Sequence, residues 1–133
     1  MKKLFSAVLL VLASCAIVRS VALDSTWKGE VHPGVMSTLE FNSNGNLRWT
    51  FELPTGTDVY ELEYEIDFDT EPHHVDITGF NKGPLAGQSL YGIAKWDDDI
   101  LTVEALPGAP GNGGEDIRPT EFSAQARTFK RVR

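Results

Sequence analysis

The chain of 133 residues holds a single cysteine, Cys15. An internal disulfide framework and a cysteine-rich zinc module are thereby excluded. No apolar run reaches the roughly 20 residues that a spanning helix requires. Basic residues are few: twelve Lys and Arg stand against nineteen Asp and Glu, a formal charge of −7. General nucleic-acid binding needs a basic footprint to neutralise phosphate, and this balance excludes it. There is no G-x-S-x-G and no Ser-His-Asp or Cys-His arrangement, so no nucleophile has an evident activator. A helical period is also missing: nothing after residue 22 sustains a 3.6-residue repeat for three turns. What is present is an apolar fraction of 41% with 23% charged, which marks a folded domain rather than a disordered chain. The length allows one domain with one modest core.

The first 22 residues read as an export signal and not as fold. Met1-Lys2-Lys3 is a short positive region, and Leu4 to Ala13 is a ten-residue apolar run, the length of a signal core. Two processing routes are open. Leu12-Ala13-Ser14-Cys15 resembles a bacterial lipobox, in which Cys15 becomes the lipidated first residue and acyl chains hold the protein on a membrane. Ser20-Val21-Ala22 instead offers ordinary cleavage after Ala22. Ala16 is not Asp, so the inner-membrane retention signal of Gram-negative lipoproteins is absent. The expected location is periplasmic or outer-membrane-anchored, or otherwise secreted. Either cut removes Lys2 and Lys3, and the second also removes Arg19. Ten or nine cations then face all nineteen acids, and the net charge becomes −9 or −10.

The domain is expected over 23–133, and from Thr26 onward its dominant period is two. Tyr60-Glu61-Leu62-Glu63-Tyr64-Glu65-Ile66-Asp67-Phe68-Asp69 alternates apolar and acidic residues without an error. One face of such a strand lies in a core and the other in water. Leu47, Trp49, Phe51 and Leu53 repeat the pattern, as do Val75 and Ile77, and Leu101, Val103 and Ala105. Turn signals separate the runs: Asn42-Ser43-Asn44-Gly45, Pro54-Thr55-Gly56, Glu71-Pro72, Asn81-Lys82-Gly83-Pro84 and Asp97-Asp98-Asp99. The pattern predicts eight strands at about 26–31, 36–42, 46–53, 59–68, 73–79, 89–97, 100–106 and 127–132. Short links make sequential strands antiparallel neighbours, and one-sided alternation throughout calls for one enclosed core. An all-β, up-and-down antiparallel meander barrel of about eight strands satisfies both demands and removes the sheet edges. A two-sheet sandwich is the alternative. Pro107 to Pro119, rich in Gly and Pro, reads as a loop at a barrel rim that cannot hold a ladder.

The same residues carry a resemblance. Gly83-Pro84-x-x-Gly87, Leu90-Tyr91-Gly92-Ile93, Trp96-Asp97-Asp98-Asp99-x-Leu101, Arg118-Pro119-Thr120-Glu121-Phe122-Ser123 and a closing Phe129-Lys130-Arg131-Val132 follow one another in order. With Trp27 near the start and Val75-Asp76-Ile77-Thr78, they resemble the small lipocalin-like domain family of planctomycete-type exported bacterial proteins. The similarity covers about residues 26–133, and its most specific piece is R-P-T-E-F. Ala94 stands where the family has Tyr, Asp98 where it has the turn Gly, and the loop before Arg118 is longer. The resemblance implies a calycin-type barrel and no agreed enzymatic role.

Candidate sites follow from placement. Trp49, Phe51, Tyr64 and Trp96 fall on inward positions and would line a ligand cavity, with Arg118 as an anion anchor at its mouth. The competing role for Arg118 is a structural latch: Arg118 bonded to strand carbonyls or Glu121, Phe122 plugging the core, and Trp27 stacked beneath Lys130 or Arg131. No metal site is expected. His73 and His74 are adjacent in a strand and point to opposite faces, so they cannot share an ion. Glu61, Glu63 and Glu65 lie on a wet face where nothing desolvates a carboxylate, so no catalytic residue is assigned. No cofactor is expected. Arg127, Lys130, Arg131 and Arg133 crowd the end of the chain and could pair with the acidic strand at 58–71. Two roles therefore stand: a non-catalytic, monomeric barrel binding a small hydrophobic ligand, or a structural or protein-interaction domain of the envelope with a filled core.

Overall fold

A computed structural model describes residues 23–111, 114 and 116–133. The segment read as an export signal, with Cys15, lies outside the described residues. The strands are β1 (Ser25–His32), β2 (Val35–Phe41), β3 (Asn46–Leu53), β4 (Gly56–Asp67), β5 (His73–Thr78), β6 (Ser89–Asp97), β7 (Ile100–Gly108) and β8 (Arg127–Arg131). Each pairs antiparallel with the next, and β8 returns to β1 to close the barrel. This is the expected eight-stranded up-and-down architecture, with no helix among the described residues.

Register explains why the alternation works. Trp27, Leu39, Trp49 and Tyr60 stand opposite one another across four strands, and all face inward. His73, Ala94, Val103 and Arg127 form a corresponding inward row across β5 to β8. Trp27, Leu47 and Leu101 have no exposed surface at all, and Trp27 Nε1 donates to Ser25 Oγ at 2.8 Å. The outer face carries exposed ion pairs such as Arg48–Glu61 at 2.7 Å, across a register pair, each worth about 0–1 kcal/mol.

Turn chemistry sets the hairpins. Asp98 adopts φ 52° between Asp97 and Ile100, which are register partners. A carboxamide or carboxylate side chain tolerates that left-handed conformation better than most. Pro54-Thr55 makes a two-residue turn, because Leu53 pairs with Gly56, and β4 starts four residues before the apolar alternation does.

Three details correct the sequence reading. β7 continues through Pro107 and Gly108, which pair with Leu90 and Ser89; a strand end tolerates proline because its missing N–H is not needed there. The connection after β7 does not simply line a rim. It packs on the outer wall of β6, where Tyr91 and Ile93 alternate with inward residues yet are 3% and 1% exposed. Tyr91 Oη donates to the Ala109 carbonyl at 2.6 Å, and Gly114 sits so close to the Tyr91 ring that a Cβ there would collide with it. Finally, closed order sets β8 between β7 and β1, diametrically opposite β4. The basic tail thus pairs elsewhere, with Arg133 on Asp99 at 2.6 Å.

The β1–β8 seam is short, with Trp27–Arg131 and Lys28–Lys130 as its register pairs. Gly29 lies beside it, bare of side chain where Phe129 crosses.

Candidate functional site

The two ends of the barrel differ. At one end lie the β2–β3, β4–β5 and β6–β7 turns and both chain ends of the described domain. Here Phe41 packs edge-on to Tyr64 (centroids 5.0 Å apart) and to Trp96 (6.2 Å), filling the interior. At the other end lie the β1–β2 and β3–β4 turns and the two long connections, 79–88 and 109–126. The interior on this side is not filled. An apolar cavity of about 660 Å³ runs from Phe41 and Trp96 past Leu39, Trp49 and Phe129 to a mouth at Val35, Leu53, Leu85 and Gln125. Its size falls within the roughly 300–1,000 Å³ of small-molecule sites.

The walls are aliphatic and aromatic because every strand presents its period-two apolar set. The polar exceptions are few. The indole nitrogens of Trp49 and Trp96 are buried without a hydrogen-bond partner among the described residues, and both rings line the cavity. A buried donor left unpaired costs about 1–3 kcal/mol. At the mouth stand His32, Gln125, Arg127 and Glu104.

The 79–88 connection closes part of the mouth. Phe80 packs against Tyr60, and Leu85 reaches the cavity. Lys82 Nζ is 2.8 Å from Asp58 Oδ1 and 4.8 Å from the Tyr60 ring centre, tying the connection to β4. Between it and the β3–β4 hairpin lies a side chamber of about 400 Å³ lined by Trp49, Phe51, Leu53, Phe80 and Leu85. The hydrogen bond from Lys82, and then that from Tyr60, hold the Asp58 carboxyl below its ordinary 3.8, while burial and Asp58 push the Tyr60 phenol up. A depressed folded pKa means that Asp58 contributes fully above its ordinary value and loses that contribution as pH falls through the lower one. Amide exchange in residues 80–88 is therefore expected to accelerate below about pH 4. Asp58→Asn should remove that acid limb; an unchanged acid limb in the variant would refute the tie.

The five residues expected at a ligand site separate into three groups. Trp49, Phe51 and Trp96 line the cavity. Tyr64 belongs to the closed end, where its Oη donates to the Asn42 carbonyl at 2.6 Å and burial, then Asp24, raises its pKa. Arg118 lies on the opposite side of the wall from the cavity, spanning β5 and β6. Nη1 donates to the Val75 and Gly92 carbonyls at 3.2 and 2.8 Å, and Nη2 meets Asp76 at 2.6 Å. Its carboxylate partner is therefore Asp76 in addition to strand carbonyls, while Glu121 is exposed at the surface. Phe122 is half-buried and outside the main core cluster. Arg131 stands opposite Trp27 in register, and no cation lies over that indole among the described residues. His73 faces inward beside Phe68 and Trp96, His74 outward, as alternation requires. No grouping of three or more metal-ligating side chains occurs among the described residues.

Most lining residues escaped the sequence reading as site residues, among them Ala94, Val103 and Arg127. Their signal was parity, since Val103 shares a face with Leu101, and Arg127 with Phe129. Comparison with family models, curated proteins and solved structures gives no match.

Proposed function

We propose that this domain binds a small apolar ligand inside the barrel and performs no chemistry on it. The supporting observation is the unfilled apolar cavity of about 660 Å³, open at one end, in a barrel whose other end is packed solid. Eight strands enclose either a packed interior or room for one small ligand, and here aromatic rings fill one half only. The two unpaired indole N–H groups add donors that a ligand acceptor could satisfy. A purely structural barrel would gain about 25 cal/mol for each Å² of apolar surface by filling that space. The kinship with lipocalin-like exported domains, carried by Arg118-Pro119-Thr120-Glu121-Phe122, is part of the same proposal. So is export, with Cys15 as the point of lipid attachment.

Tryptophan emission reports the cavity directly, because Trp49 and Trp96 line it. A panel of fatty acids, alcohols and hydrophobic metabolites is expected to change it saturably for at least one member. Val103→Phe, which places a ring in the cavity, should weaken that binding about tenfold or more while leaving the β-sheet circular dichroism intact. A panel without any saturable response would overturn the binding role in favour of a structural one.

A further inference from the structure

Resting on the binding role above, we propose that the ligand is a single-chain amphiphile with a compact anionic head, received by Arg127 at the cavity mouth. Arg127 opens β8 and is the register partner of inward-facing Val103, so its side chain starts from the inner wall. It is half-buried and lines the cavity among apolar neighbours that include Val103 and Phe129. Its guanidinium has no hydrogen bond or ion pair among the described residues. The contrast with other arginines is clear: Arg48, Arg118 and Arg133 each hold a carboxylate within 2.7 Å. Arg131, the other inward arginine of β8, stands beyond Phe129 towards the closed end and does not line the cavity.

The one carboxylate-bearing residue at this cavity's wall is Glu104, whose register partner Ile93 faces outward. It is engaged elsewhere, accepting the Ser123 N–H at 2.7 Å and the Ser123 hydroxyl at 3.0 Å. In a chain with an excess of acids, a half-buried cation against an apolar wall is left for an anion from outside. A guanidinium recognises a carboxylate or phosphate through a planar fork of donors, and the interaction is strongest where water is partly excluded. Gln125 and His32 flank the same mouth with side chains that make no hydrogen bond among the described residues, and they could complete the shell of an anionic head. Below the head, the cavity wall down to Phe41 and Trp96 is apolar but for the indole N–H groups of Trp49 and Trp96. A polar head above a long apolar tail is the shape that this gradient fits.

The test titrates dodecanoate, dodecyl phosphate, dodecanol and dodecylamine into the full chain, reading tryptophan emission, for wild type, Arg127→Gln and Arg127→Lys. At least one of the two anions is expected to bind more tightly than dodecylamine, and which one wins identifies the head as carboxylate or phosphate. Arg127→Gln should weaken the anion about 10- to 100-fold and leave dodecanol unchanged, which also shows that the variant folds. Arg127→Lys should recover part of the loss. Dodecylamine binding as tightly as the anions, or Arg127→Gln weakening dodecanol as much as the anion, or no loss at all, would overturn the head-group assignment and leave the cavity role standing. No response to any of the four would remove the cavity role itself.

Discussion

Gly29→Ala is expected to lower the melting temperature by about 5–15 °C, corresponding to a loss of about 1–3 kcal/mol for a domain of this size. A methyl group at this position meets the Thr128 carbonyl, lies 2.8 Å from Phe129 Cδ1 and 3.1 Å from Phe129 Cα. Two of those three atoms are backbone, so a rotamer change cannot relieve the collision. Phe129 cannot withdraw either, because it is 3% exposed in the core and paired with Leu101. The damage falls on the shortest ladder of the barrel, where β1 and β8 share few pairs. Thermal unfolding followed by circular dichroism measures the effect. A wild-type melting point would mean that the seam has slack that the geometry denies.

The second large effect is expected at Arg118. Arg118→Leu should cost about 2–4 kcal/mol, because it strips two strand carbonyls and one carboxylate of a charged donor at once. The estimate sits at the lower part of the range for a broken buried pair, since the Asp76 side chain is 30% exposed and water recovers some of its solvation. Lysine should restore less than half: one ammonium lacks the fork that serves Val75, Gly92 and Asp76 together. The loss should come with exposure of Tyr91, over whose ring the guanidinium sits at 5.7 Å from the centre. An unchanged melting point for Arg118→Leu would sink the latch role, and an increase in ligand Kd without any loss of stability would return Arg118 to the binding role.

The strands were legible in the sequence because a one-sided sheet writes its burial directly as a period of two. Leu62, Tyr64, Val75 and Ile77 are buried where alternation puts them, and their acidic neighbours are exposed or nearly so. Alternation says nothing about the outer face of β6. Leu90-Tyr91-Gly92-Ile93-Ala94 is apolar on both sides, which is the signature of a strand covered twice, but the cover comes from a Gly- and Pro-rich segment with no period of its own. That same gap hid the position of Arg118: local sequence fixes neither which face of the wall a loop returns to nor which carboxylate it meets 42 residues away. The cavity was equally out of reach. Counting inward aromatics shows that Trp49, Phe51 and Trp96 share an interior, whereas the volume left over depends on strand tilt and on where the 79–88 connection rests.

The closing ladder has a kinetic meaning as well. Seven of the eight pairings join neighbours in sequence and can form as local hairpins, but Trp27 meets Arg131 only after about a hundred residues of chain have been brought round. The entropy of that closure is recovered by few pairs, so the joining of the two ends, rather than any hairpin, is expected to set the rate at which the barrel forms.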